Sequence, residues 1–148
     1  MKLSTTEVTG DTEESTGSEP VQARPPAPLW CNRSMSDCLF CQIVNREIQG
    51  SIVYEDQRVM AFNDVNPQAP THVLVVPKRH IASLNEIGVE DDQIIGELVR
   101  RAAAIAKDRG LSAGGYRTVF NTNRDAGQTV FHIHLHLLGG RSMKWPPG

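Results

Sequence analysis

The chain lacks a long apolar run. Its uninterrupted hydrophobic stretches fall far short of the ~20 residues needed to span a bilayer, so no membrane partner is expected. The N-terminus lacks the apolar core of a secretory signal. A charge excess of either sign is also missing. Fifteen basic residues face 17 acidic ones for a net charge of −2, so no basic field draws a nucleic-acid polymer. Cysteine is sparse, with Cys31, Cys38 and Cys41 only. An odd count with one C-x-x-C pair argues against a secreted disulfide framework and for a reducing, cytoplasmic setting. No internal repeat is visible.

Large apolar residues are almost absent from one segment alone, the N-terminal quarter. "TEVTGDTEESTGSEP" and "RPPAP" cannot bury enough apolar surface to offset the entropy of ordering. Residues 1–36 are therefore expected to be a disordered extension, and residues 37–148 one folded domain. "MSDCLFC", from Met35, reads as a natural start. The preceding residues are then a dispensable tail or an upstream mis-start, which mass spectrometry of the native N-terminus distinguishes.

Within the domain, Asp37 is placed to cap a short helix over "CLFCQIVNREI", with Leu39, Ile43 and Val44 as its apolar stripe. "SIVYED" and "RVMAFND" read as strands around a tight connection at Glu55-Asp56-Gln57. "THVLVVPK" is a third strand. Residues 90–109 form the long helix, with Ile94, Ile95, Leu98, Ala102 and Ile105 facing the core and Gly110 ending it. "YRTVFNTN" and "TVFHIHLHLLG" are the last strands. Five strands on short turns, with two helices interposed, imply an α+β domain with an antiparallel sheet.

Histidine too is scarce, yet three of the five residues crowd into "FHIHLH": His132, His134 and His136. Side chains alternate along a strand, so all three share a face, roughly 7 Å apart at about 3.3 Å per residue. Phe131, Ile133, Leu135 and Leu137 then turn to the core. A row of imidazoles suits a metal. It also suits nucleophilic catalysis at phosphorus, with one ring attacking while its neighbours orient it and handle protons.

Cys38 and Cys41 have the spacing of zinc thiolates, with His80 and His132 as candidate partners. Asp64, at a strand end, suits a ribose diol, and His72 follows it closely. Trp145, in the terminal "KWPPG", is an aromatic that should dock on its own chain or on a partner.

"GQTVFHIHLHLLGG" resembles the signature of the histidine triad (HIT) superfamily, His-φ-His-φ-His-φ-φ. "DVNPQAPTH", "NTNRDAGQ" and "LLGGRSMKWPPG" are similar to its histidine triad nucleotide-binding (Hint) branch, over about residues 37–148. The resemblance implies a five-stranded antiparallel sheet with one long and one short helix, paired into a ten-stranded sheet in a homodimer. It implies hydrolysis of purine nucleoside 5′-phosphoramidates and aminoacyl adenylates, releasing AMP or GMP through a nucleotidyl-histidine. His134 resembles the nucleophile and His136 the phosphate ligand. His132 and His72 resemble the groups that orient the nucleophile and relay protons. Asn121, Gly127 and Thr129 would line the phosphate and leaving-group side. Asp64 resembles the ribose ligand, and Phe40, Ile43, Phe62 and Val65 the base wall. Trp145 resembles the residue that reaches the neighbouring subunit's pocket.

No cofactor is required for that chemistry. Thr129 stands where many Hint proteins have serine, which bears on leaving-group preference. Relatives that keep the cysteine pair hold a structural zinc, and Cys38, Cys41, His80 and His132 resemble its ligands. In that arrangement His132 is not a relay. Two other readings of the sequence are a dinucleoside polyphosphate hydrolase and a non-catalytic nucleotide-binding or scaffold protein. Polyphosphate hydrolases typically follow the triad with Pro-Arg and lack the "WPPG" ending. An intact triad beside His72 exceeds what binding alone requires.

Overall fold

The computed structural model describes residues 37–148. The predicted extension, residues 1–36, and Cys31 within it lie outside the described residues. Five strands form one antiparallel sheet: β1 (Ile52–Glu55), β2 (Val59–Asn63), β3 (Thr71–Pro77), β4 (Tyr116–Phe120) and β5 (Leu135–Gly139). Their spatial order is β1-β2-β3-β5-β4. A short helix α1 (Leu39–Val44) precedes the sheet, and the long helix α2 (Asp92–Asp108) links β3 to β4. None of the described helices is long and apolar enough to cross a membrane.

Central position explains β3. All seven of its residues are buried, because its two faces serve two cores. Val73 and Val75 join Val59, Ala61, Ile133, Leu135 and Leu137 beneath Leu98, Ala102 and Ile105 of α2. Leu74 and Val76 face the other way, joining Met60, Phe62, Phe40, Ile43 and both cysteines of the α1 side. Each fully buried aliphatic side chain contributes about 1.5–3 kcal/mol of transfer free energy. The long helix has the expected face, with Ile95 at its margin, and Gly110 ends it at φ +71°. Gly110 N–H donates to Lys107 O and Leu111 N–H to Ala106 O, the paired bonds of a Schellman stop.

Two local expectations need correction. Asp37 does not cap α1: Cys38 holds the N-cap position without a side-chain cap bond. The buried face is Phe40, Cys41 and Ile43, while Leu39 is 44% exposed. The physical cause is the histidine pair beneath the helix, which both thiols must face. Second, β5 starts at Leu135 rather than near Thr129. Its ladder with β3 ends at Val75↔Leu135. Pro77 lies just beyond and has no N–H to extend it. Ile133 N–H bonds to Ile81 O instead. The alternation nevertheless persists through Ile133, Leu135 and Leu137, and only Phe131 stays partly exposed.

Candidate active site

A cleft of about 270 Å³ opens between α1 and the sheet. Phe40, Ile43, Phe62 and Val65 line it, together with Asp64, Thr129, His134 and His136. Phe40 and Phe62 meet edge-on with ring centroids 5.3 Å apart. One end of the cleft is thus apolar and flat-walled, and the other is imidazole.

The three neighbouring histidines have two destinations. His134 and His136 face the cleft, whereas His132 is fully buried behind it. Nδ1 of His134 donates to the main-chain carbonyl of His132 at 2.7 Å. That bond leaves the lone pair on Nε2, the unshared nitrogen. Burial holds His134 below the ordinary histidine range, against the opposing pull of this bond. The ring is therefore neutral near pH 7, the state a nucleophile requires.

His72 reaches the same end of the cleft from β3. Its opposite residue across the ladder is Leu138, so His136 is its diagonal neighbour. Nε2 of His72 lies 2.9 Å from Nδ1 of His136 and 3.4 Å from an Asp64 oxygen. The main-chain N–H of Gln68 donates to Nδ1 of His72 at 3.1 Å. The His72 proton therefore sits on Nε2 and points at His136. His136 accepts at Nδ1 and carries its own proton on Nε2. That nitrogen is buried with no partner among the described residues. Burial, reinforced by His134 and His72, takes His136 down to about 4, and burial also lowers His72 despite Asp64. Asp64, His72 and His136 are close enough to suggest a cation site. The Gln68 bond argues otherwise, since a cation would meet the His72 proton. The trio reads as a hydrogen-bond relay ending on an orphaned donor.

His132 belongs to a separate cluster. Its Nδ1 lies 3.5 Å from Cys38 Sγ, 3.5 Å from Cys41 Sγ and 3.3 Å from Nδ1 of His80. Cys41 Sγ is 3.3 Å from the same His80 nitrogen. Around a tetrahedral zinc, bonds of about 2.3 Å to sulfur and 2.0 Å to nitrogen put S and N about 3.5 Å apart and two N about 3.3 Å apart. The observed spacings match. His132 Nε2–H donates to Pro77 O at 2.8 Å, the outer-shell bond expected of a metal-binding imidazole. The set fits a structural zinc. Burial raises the Cys38 thiol, but hydrogen bonds from His132, His80 and the Cys41 main chain together outweigh it, and the group falls to about 5. Cys41 is pushed up to about 12 by burial and by Cys38. With both its ring nitrogens engaged, His132 has no free one for a relay. It touches His134 only through its backbone.

The loop carrying Asn121, Gly127 and Thr129 borders the cleft at Thr129. Gly127 sits in the left-handed region at φ +79°, which favours glycine. Thr129 lines the cleft, whereas Asn121 and Gly127 stand further along the loop. Trp145 is 84% exposed and does not line it. Sequence reasoning missed Gln128, which is buried. Its Nε2 donates to Ala82 O at 2.8 Å and Val130 O at 3.1 Å, and its Oε1 accepts from Asn123 N–H at 2.9 Å. A glutamine beside a loop glycine carried no signal of that role.

Residues 37–145 match the family model described as "Scavenger mRNA decapping enzyme C-term binding". The chain is 54% identical to an uncharacterized HIT-like protein of Synechococcus elongatus, over 76% of this chain and 97% of the relative. It is 47% identical to the purine nucleoside phosphoramidase of Escherichia coli, over 72% of this chain and 90% of that protein. Among solved structures, a HIT family hydrolase from Legionella pneumophila superposes with a TM-score of 0.75 at 52% identity. That match covers 76% of this chain and all of the other.

Proposed function

The chain belongs to the histidine triad family, and from that premise we propose that it is a hydrolase of purine nucleoside 5′-phosphoramidates and aminoacyl adenylates. The observation that carries the proposal is the arrangement of His134, whose Nδ1–H is committed to the His132 carbonyl while Nε2 faces the cleft lone pair first. The 47% identity to a purine nucleoside phosphoramidase supports the substrate class.

In this reading the base lies between Phe40, Ile43, Phe62 and Val65, and Asp64 accepts from the ribose hydroxyls. Asn121, Gly127 and Thr129 flank the phosphate and leaving group. His134 Nε2 attacks the α-phosphorus, and the P–N bond breaks. The positive charge left on the nucleotidyl-imidazolium is shared with the His132 carbonyl. A phosphoryl anion beside His136 raises that ring's proton affinity. The ring takes up one solvent proton at Nδ1, the His72 N–H turning to Asp64 to make room, and hands its Nε2 proton to the departing amine. Water then attacks the intermediate, AMP or GMP leaves, and the water's proton returns to His136. His72 and Asp64 hold His136 in place.

Cys38, Cys41, His80 and His132 would hold the zinc ion, which ties α1 to the sheet and takes no part in the bond changes. Among the described residues β4 pairs only with β5, which leaves its outer edge and the exposed Trp145 for a second copy. A homodimer in which the two sheets join, and Trp145 reaches the neighbouring cleft, would use that edge.

The test is AMP release from an adenosine 5′-phosphoramidate by wild type and His134→Asn, with and without a zinc chelator. Release by wild type alone is expected. AMP binding without release by wild type would replace this reading with a nucleotide-binding protein. Faster release from a dinucleoside polyphosphate would move the substrate class to P–O–P bonds.

A further inference from the structure

The cysteine–histidine cluster and the cleft share two pieces of chain. One is the segment 132–134, in which His132 offers its ring to the cluster and its carbonyl to His134. The other is α1, in which Phe40 sits between Cys38 and Cys41 and lines the cleft. The Phe40 ring meets His134 edge-on at 5.1 Å and His132 at 6.0 Å. The His136 ring packs against the His134 ring from a further side, with centroids 4.8 Å apart.

We propose that the four-residue cluster is a positioning device for the nucleophile as well as a staple for the fold. Closing Cys38, Cys41, His80 and His132 around a zinc-type ion fixes the His132 ring. Pro77 O grips that ring's far nitrogen. The fixed ring and the Ile133 N–H bond to Ile81 O together hold the peptide that carries the His132 carbonyl, and with it the His134 Nδ1–H bond that leaves Nε2 free to react. The same closure presses Phe40 against the His134 ring. Opening the cluster removes one of the two restraints on that peptide and loosens Phe40 against the His134 ring, so the ring swings and bond making slows even in a folded chain. The inference rests on His134 as nucleophile. It adds that metal occupancy sets the reactive geometry.

The experiment uses the full chain, zinc-loaded or chelator-stripped, beside His80→Ala, which retains three donors if the stripped chain fails to fold. Imidazole ¹H–¹⁵N spectra, AMP affinity and single-turnover AMP release are recorded on samples that circular dichroism finds folded. Zinc-loaded protein is expected to show a slowly exchanging imidazole N–H that disappears in His134→Asn. On stripping, or in His80→Ala, that resonance broadens. The rate constant at saturating substrate falls about 10- to 100-fold, while AMP affinity falls by a smaller factor. An unchanged resonance and rate constant, with only a lower melting temperature, would make the cluster a staple and overturn the proposal. Failure of the full chain to bind zinc would do the same. If no substrate releases AMP, the proposed activity fails, while the spectra and the AMP titration still decide the positioning.

Discussion

The main-chain carbonyl of His132 accepts a 2.7 Å hydrogen bond from Nδ1 of His134. The backbone thereby selects which nitrogen of the middle histidine reacts. The neighbouring ring, His132, is turned away and spent on Cys38, Cys41 and Pro77. Identical side chains two residues apart thus have different uses, decided by burial and partner rather than by residue type.

Replacing His134 by Asn removes the nucleophilic Nε2 and keeps a polar amide near the position of Nδ1, within reach of the His132 carbonyl. AMP release is expected to fall by at least about a thousandfold. AMP binding, measured by calorimetry, should persist. Equal loss of both would remove His134 from the role of nucleophile.

Asp64 is a carboxylate lining the cleft, with Oδ1 already accepting from Asn66 N–H and Oδ2 near His72, and in the proposed function it accepts from the ribose hydroxyls. A hydrogen bond to a charged group contributes about 1.5–3 kcal/mol. Wild type should accordingly prefer a ribose over a 2′,3′-dideoxyribose substrate by about 10- to 150-fold in kcat/KM. Asp64→Ala should abolish most of that ratio. A ratio left intact would place ribose recognition elsewhere.

Much of this site was legible in the sequence because strand periodicity survives where strand pairing does not. The alternation of His132, His134 and His136 against Ile133, Leu135 and Leu137 is a property of extended backbone. It holds through residues 132–134 although β5 begins only at Leu135. The end of the ladder at Pro77 was harder to read, since it depends on which residue of β3 faces which residue of β5. The face of α1 was also hidden. Its six residues are too few for a periodic signal, and distant histidines choose its rotation. Gln128 was invisible because its partners, Ala82 O and Asn123 N, are main-chain atoms brought to it by the fold.

Gln128→Ala leaves Asn123 N–H and Ala82 O without their side-chain partners. A loss of about 1–3 kcal/mol in unfolding free energy is expected, read as a lower urea midpoint at unchanged slope. Because Thr129 follows directly, kcat/KM should fall as well. A variant as stable as wild type would show that the loop finds other partners.

Acid sensitivity follows from His136 and His72. The groups facing His136 are His134, His72 and Asp64, and burial dominates them. In the folded chain His136 is held near 4 against an ordinary 6.5, and His72 is lowered too. Between those values the unfolded chain binds protons that the folded chain refuses, so stability rises with pH across the window. It is fully present above about 6.5 and is lost as the pH falls toward 4. The melting temperature should drop over that interval, and His136→Asn should drop less steeply. Parallel slopes for the two proteins would count against a depressed His136.

The most direct test of the account is to catch the covalent intermediate. The full chain is mixed with an adenosine 5′-phosphoramidate, quenched on the millisecond scale under alkaline denaturing conditions, and mapped by mass spectrometry. The expected result is an adenylylated peptide with the nucleotide on His134, absent from His134→Asn. Nucleotide on His132 or His136, or AMP release by His134→Asn at the wild-type rate, would contradict the assignment of the nucleophile.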